Sequence, residues 1–268
     1  DQARLREVMI GLREISRGAT AIGTGITADP SYAEAVRAEL SRLIGMELVT
    51  SPDLIEATSD TGVFMSLSGT LKRAAVKLSK ICNDLRLLSS GPQAGLRELI
   101  LPPRQAGSSI MPGKVNPVIP EVVNQVAYMI IGADATVTAA AEGGQLQLNA
   151  FEPIIAHSML QSVSWLANAC YTLRVNCVEG IDVDRERLAK EVGASVGVVT
   201  ALIPFIGYQT AAEIAMEALA TGHQIADLIV ERGLMSRDDV VRALTPERLS
   251  GLAPQTTSIP IIRQRPSA

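Results

Sequence analysis

Leu67-Ser68-Gly69-Thr70-Leu71-Lys72-Arg73-Ala74-Ala75-Val76-Lys77-Leu78-Ser79-Lys80-Ile81-Cys82-Asn83-Asp84-Leu85-Arg86-Leu87-Leu88 lies within the longest regular stretch of the chain. Leu67, Leu71, Ala74, Leu78, Ile81, Leu85 and Leu88 recur at alternating steps of four and three, the seam of a helix packed in a bundle. The helical stretch is expected to open at Asp53, run to about Ser89 and stop at Gly91-Pro92. Lys72, Arg73, Lys77 and Lys80 lie on and beside the stripe and are expected to be solvated or subunit-facing.

Downstream, Pro117 and Pro120 open a second long helix reaching about Glu142. Gly143-Gly144 break it, and a third is predicted from roughly Pro153 to Cys177. Ala133, Ala135, Ala139, Ala140 and Ala141 allow close helix approach. Upstream, Leu5, Val8, Met9, Leu12 and Ile15 give residues 1–16 a helical period, the tail of a helix begun before Asp1. Gly18 to Gly25 reads as an irregular turn. It lacks the Lys-Ser/Thr ending and preceding strand of a phosphate loop. A short helix fits Tyr32 to Ile44, ended by Gly45. Helices dominate and strand alternation is scarce, so the class is all-α, an elongated long-helix bundle. Residues 1–183 are read as its central domain.

At Gly180 the character changes. Residues 184–268 are read as a small C-terminal helical domain, with helices at Ala211 to Ala220 and Ile225 to Arg232. Ser236-Arg237-Asp238-Asp239 resembles a capping box with Asp for Glu. Thr245-Pro246-Glu247 starts another helix, and Ile259 to Ala268 is expected to be a poorly ordered tail.

Composition narrows the function. Of 268 residues, 47% are hydrophobic and only 3% aromatic, so aliphatic side chains and Ala build the core. A net charge of −4 argues against a nucleic-acid partner, which calls for a basic face. An anionic substrate therefore needs local cations. Cys82, Cys170 and Cys177 form no CxxC pair and read as free thiols in a reducing cytoplasm. Cys170 and Cys177, seven apart, are assigned to core packing. The only histidines, His157 and His223, lack metal-type neighbours, which argues against zinc. There is no signal-peptide pattern at the start. Glu121, Asn124, Gln125 and Asp134 interrupt the apolar run from Val118 to Ala141, so it is not read as membrane-spanning.

The chemistry concentrates in Gly107-Ser108-Ser109-Ile110-Met111-Pro112-Gly113-Lys114-Val115-Asn116-Pro117, a loop by its glycines and prolines. A serine is a poor base unless its alkoxide is stabilised, and backbone N–H groups of a Gly-containing loop can do that. Physics alone does not rank Ser108 above Ser109. Lys114 supplies a point charge for a carboxylate and Asn116 a directional amide donor. Glu121 places a favourable negative charge near the start of the next helix.

This loop resembles the signature loop of the aspartase/fumarase superfamily, whose members eliminate a group from a succinyl skeleton to leave fumarate. Gly18 to Gly25 and Lys80-Ile81-Cys82-Asn83-Asp84-Leu85-Arg86 also look like superfamily blocks, and the likeness runs from about Gly18 to Gly233. Asp53 to Asp60 and Gln145-Leu146-Gln147-Leu148-Asn149 resemble the aspartate ammonia-lyases most. Class II fumarase, which eliminates water from malate, is the alternative. The resemblance implies Ser108 as general base, Ser109 as its neighbour in loop hydrogen bonding, and Lys114 and Asn116 as carboxylate anchors. Glu121 matches a Glu that holds a catalytic His absent here. It also implies a homotetramer whose sites draw on three chains, a small-molecule substrate (L-aspartate or fumarate) and no organic cofactor; with no metal-type residue cluster and no CxxC pair, the residues themselves add the expectation of no metal site and a cytoplasmic location. Superfamily chains are nearly twice as long, and two upstream blocks that complete their site are missing. The chain starts at Asp1 without Met, as a fragment or processed chain would. Alone it is expected to be inactive, and a non-catalytic helical assembly module is the reading of a different class.

Overall fold

The computed structural model describes residues 1–91, 93–105, 107, 111 and 113–252. It divides into two compact units, one spanning Asp1–Asp182 and one beginning at Val183.

The first unit is built on three long helices, α3 (Gly62–Leu88), α4 (Val118–Glu142) and α5 (Glu152–Asn176). Helices α1 (Gln2–Gly11) and α2 (Tyr32–Ile44) precede them. Leu71, Ala75, Ala127, Ile130, Val137 and Ile155 form the middle of the bundle core. Burying one such Ile contributes about 1.5–3 kcal/mol, and the alanines let the helix backbones approach. The prolines act where the sequence puts them: Pro117 caps α4, and Pro153 sits in the first turn of α5.

Polar side chains set the register of α3 against α4. The Ser68 hydroxyl donates to Asp134 Oδ1 at 2.8 Å, and Lys72 Nζ donates to Asp134 Oδ2. Nearer the other end of α3, Asn124 donates to Ser79 and Asn83. As α3 advances from Ser68 to Asn83, its partners on α4 recede from Asp134 to Asn124, so the two helices run antiparallel.

Between α4 and α5 the chain turns on Asn149, which is buried. Its Nδ2 donates to the carbonyls of Ala140 and Ala141, at 3.0 and 3.3 Å. Its Oδ1 accepts from Phe151 N at 2.8 Å. One amide thus closes the end of α4 and the start of α5, supplying partners that helix termini otherwise lack.

Several local expectations are corrected. The long helix does not open at Asp53. Asp53 Oδ1 caps only a single turn, accepting from Ile55 N and Glu56 N, and Asp60 Oδ1 then accepts from Gly62 N where α3 begins. Two acidic caps in tandem split what reads as one periodic run. Helix α1 ends at Gly11 rather than continuing to residue 16. Glu14–Ile15 (β1) instead pairs in parallel with Val49–Thr50 (β2), Glu14 opposite Val49 and Ile15 opposite Thr50. On α3, Ile81 is exposed whereas Ser68, Ser79 and Cys82 are buried. The inward face is rotated away from the leucine stripe because Asp134 and Asn124 give its serines partners. Of the four cations, Arg73, Lys77 and Lys80 are solvent-exposed as expected, whereas Lys72 is drawn to the buried Asp134. The core assignment holds for Cys177, buried just past the end of α5 at Asn176, but not for Cys170, which is exposed on that helix.

The second unit holds short helices: α6 (Arg185–Ala194), α7 (Ile203–Ile206), α8 (Tyr208–Thr221), α9 (Ile225–Glu231), α10 (Arg237–Ala243) and α11 (Pro246–Leu249). Leu202, Ile206, Ile214, Leu228, Ile229 and Val240 form its core. The Ser236 cap is as expected, with one difference. Ser236 Oγ accepts from Asp239 N at 3.2 Å, while the shorter Asp239 side chain takes the Ser236 hydroxyl proton at 2.7 Å. With Arg242 adding to that hydroxyl, the Asp239 carboxyl is held below its ordinary range. The tail expectation for Ile259 to Ala268 lies outside the described residues. Among the described residues, no single helix is long and apolar enough to cross a membrane.

Candidate functional site

The loop between α3 and α4 leaves from a narrow neck. A Cβ placed on Gly107 would fall 2.1 Å from the carbonyl oxygen of Lys114, so only glycine lets the two backbones pass. At the exit, Gly113 adopts φ +81° and Lys114 N donates to Met111 O at 3.3 Å. Ser108 and Ser109, the two candidate hydroxyls, lie outside the described residues.

The remaining predicted residues sit on the segment leaving the loop and the first turn of α4. Lys114 is exposed and has no ion pair among the described residues, which leaves its ammonium available to an anion. Asn116 is half-buried in a crevice shared with Leu101, Pro102, Asn176 and Cys177. Its carbonyl accepts from Val118 N at 2.9 Å, which turns the chain into α4. Glu121, half-buried in the first turn of α4, donates its backbone N–H to Pro117 O at 3.1 Å. A carboxylate there meets the positive end of the helix dipole.

The approach to the loop is anchored as well. Arg104 donates through Nε to Asn176 O at 2.9 Å and through a terminal nitrogen to Val175 O at 3.3 Å. The carbonyls at the end of α5 thus hold the segment leading into the neck. Gly180 lies so close to Pro102 that a Cβ would come within 2.6 Å of its ring. Beneath this end of the bundle are the thiols Cys82 and Cys177. Burial pushes Cys82 up to about 11, the neighbouring Cys177 adding to the shift and the Arg86 guanidinium opposing it. Such thiols are inert nucleophiles. Among the described residues, no group of His, Cys, Asp and Glu is arranged to hold a metal ion.

One group escaped the sequence reading. Asn124, only 2% exposed, donates through Nδ2 to Ser79 O, Ser79 Oγ and Asn83 Oδ1 and accepts from Arg86 at 3.3 Å. In the sequence it is merely an interruption of an apolar run. Its place three residues after Glu121, hence on the same helix face, was the available signal.

Two family profiles match the chain, one described as lyase over residues 1–132 and one as fumarase C C-terminus over residues 198–251. The first contains the loop and its neck. An aspartate ammonia-lyase of Corynebacterium glutamicum is 53% identical over 249 residues, covering 93% of this chain and 47% of that protein. The chain belongs to the aspartase/fumarase superfamily. Solved structures of the superfamily share its fold. The fumarate lyase:delta crystallin from Brucella melitensis bound to cobalt superposes with a TM-score of 0.88 at 51% identity, covering 94% of this chain and 54% of that one. A recombinant class II fumarase from Schistosoma mansoni superposes at 0.85 with 28% identity, covering 92% and 55%. The chain spans about half the length of the curated relatives it matches.

Proposed function

We propose that the complete protein is an aspartate ammonia-lyase that eliminates ammonia reversibly from L-aspartate to give fumarate. The observation that carries this reading is the likeness to curated aspartate ammonia-lyases, 50–54% identical over 85–93% of the chain. The S. mansoni class II fumarase supports a second reading, water elimination from malate, at the lower identity of 28%.

The chemistry assigns the roles. The proton to be lost sits on C3 beside a carboxylate and is weakly acidic, so a positioned base must take it while donors hold the developing aci-carboxylate. Ser108 is that base, its alkoxide stabilised by loop N–H groups, with Ser109 supporting the loop. Lys114 and Asn116 hold a substrate carboxylate. The C–N bond then breaks, ammonia leaving with its electron pair as the C2–C3 double bond forms. Glu121 belongs to the catalytic group through a histidine partner supplied from outside this chain. The protein works as a cytoplasmic homotetramer with sites shared between chains, and the two units correspond to a central domain and a small C-terminal domain.

The test is fumarate release by the complete protein, offered L-aspartate and L-malate separately. Release from aspartate alone supports the ammonia-lyase, and release from malate alone replaces it with the fumarase. Silence on both leaves the helical assembly reading. In the active protein, S108A is expected to lower kcat by roughly 100-fold or more, the scale of a lost general base, while substrate still binds.

A further inference from the structure

We propose that Asn124 is a positioning residue for the segment Lys114–Glu121, acting by locking α4 to α3 at the loop end of the bundle. The inference rests on the ammonia-lyase reading above. Around Asn124 the helix contact is otherwise smooth and apolar, with Cys82, Val123, Ala169 and Cys177 buried against one another. Such a surface tolerates sliding. A slip of one residue would move α4 by about 1.5 Å and rotate it by about 100°. The Asn124 amide resists that slip at four points: both Ser79 oxygens and Asn83 Oδ1 take its hydrogens at 2.8–3.0 Å, and Arg86 donates to its oxygen at 3.3 Å. A buried polar residue in an apolar helix contact is an attested device for fixing register.

What it fixes is the carboxylate-binding segment. Glu121 is one turn before Asn124, and the backbone from Asn116 through Val118 to Glu121 is tied into that same first turn. A displacement of about 1 Å at a reacting group can cost on the order of 100-fold in rate. Asn124 itself is buried, its side chain spent on α3, so its influence passes through Lys114, Asn116 and Glu121.

The test uses the complete protein carrying N124L, with kcat and KM for L-aspartate measured per folded molecule. Peptide-resolved hydrogen exchange over residues 113–121 is read in parallel. N124L is expected to stay folded, lose at least tenfold in kcat, raise KM severalfold and exchange faster over 113–121. A residue that only stabilises the fold would lower the melting midpoint and leave both constants of the folded fraction alone. Should N124L not fold, the half-exposed network member decides: N83L is expected to lose severalfold in kcat, and N83D, which keeps the acceptor for Asn124, to recover most of it. Folded N124L with turnover within twofold of wild type, or N83L indistinguishable from wild type, overturns the proposal. If the wild-type protein makes no fumarate from aspartate, the ammonia-lyase reading fails separately. The exchange over 113–121 then decides the positioning role by itself, unchanged exchange in N124L overturning it.

Discussion

The core of the second unit is apolar throughout, from Val199 and Leu202 to Val240 and Ala243. That of the first interleaves Leu71, Ile130 and Ile155 with Ser68, Ser79, Asn124 and Asp134, and every buried polar side chain among the described residues lies before residue 183. Apolar packing sets which helices meet, but it is tolerant of how far each slides. Hydrogen-bonded pairs inside a helix contact are not tolerant, because a slip leaves desolvated donors unpaired. The unit that carries the loop has the polar pairs, and the unit without it relies on packing.

The contrast can be broken experimentally, most severely in the apolar unit. I229A removes a side chain with no exposed surface. It is expected to cost about 2–5 kcal/mol, read as earlier urea unfolding of residues after Val183 with hydrogen exchange in α4 unchanged. In the polar unit, D134A strands the Ser68 hydroxyl and is expected to cost about 1–3 kcal/mol. Replacing both partners, as in S68A/D134L, should come within about 1 kcal/mol of wild type, because no buried hydroxyl is then stranded and the part-exposed Lys72 ammonium turns to water. A double variant as unstable as the single one would show that the pair contributes net stability rather than register.

At the surface of the second unit, S236A is expected to cost about 1 kcal/mol by removing an N-cap. The Asp239 carboxyl is depressed, so its contribution is present above the ordinary carboxylate range and lost as pH falls through its folded value. The difference between S236A and wild type should therefore shrink on acidification, followed as the thermal midpoint. Smallest is the effect of the thiols. Cys170 is expected to react with a thiol reagent in the native protein while Cys82 and Cys177 wait for unfolding, one fast thiol against two slow. Cys82 is raised from 9.0 to about 11. Its share of stability is intact below pH 9 and lost as pH rises toward 11, a loss that C82A should remove.

Much of the architecture was legible. Pro117 and the Glu152-Pro153 pair place the starts of α4 and α5 to within a residue, since proline fits the first turn of a helix and little else inside one. Gly45, with φ +66°, ends α2 where expected. What was not legible depended on contacts across space. Asp53 and Asp60 are both good caps, and nothing local says that the first serves a single turn. Ile81 fits the leucine period yet faces out, because serines gain partners from α4, 66 residues on for Ser68 and 45 for Ser79. The loop was legible by composition, but its neck was not: Gly107 is required by the passing Lys114 carbonyl rather than by its own torsion angles. Asn124 matched no motif, since its meaning lies in Ser79, Asn83 and Arg86.

Asn149 carries a consequence for folding kinetics. Because one amide serves carbonyls in the last turn of α4 and the N–H of Phe151, the residue that caps α5, neither helix end can fray without releasing the other. The corner between them should open as a single event, and α4 and α5 should form as a joined hairpin rather than as two helices that later dock.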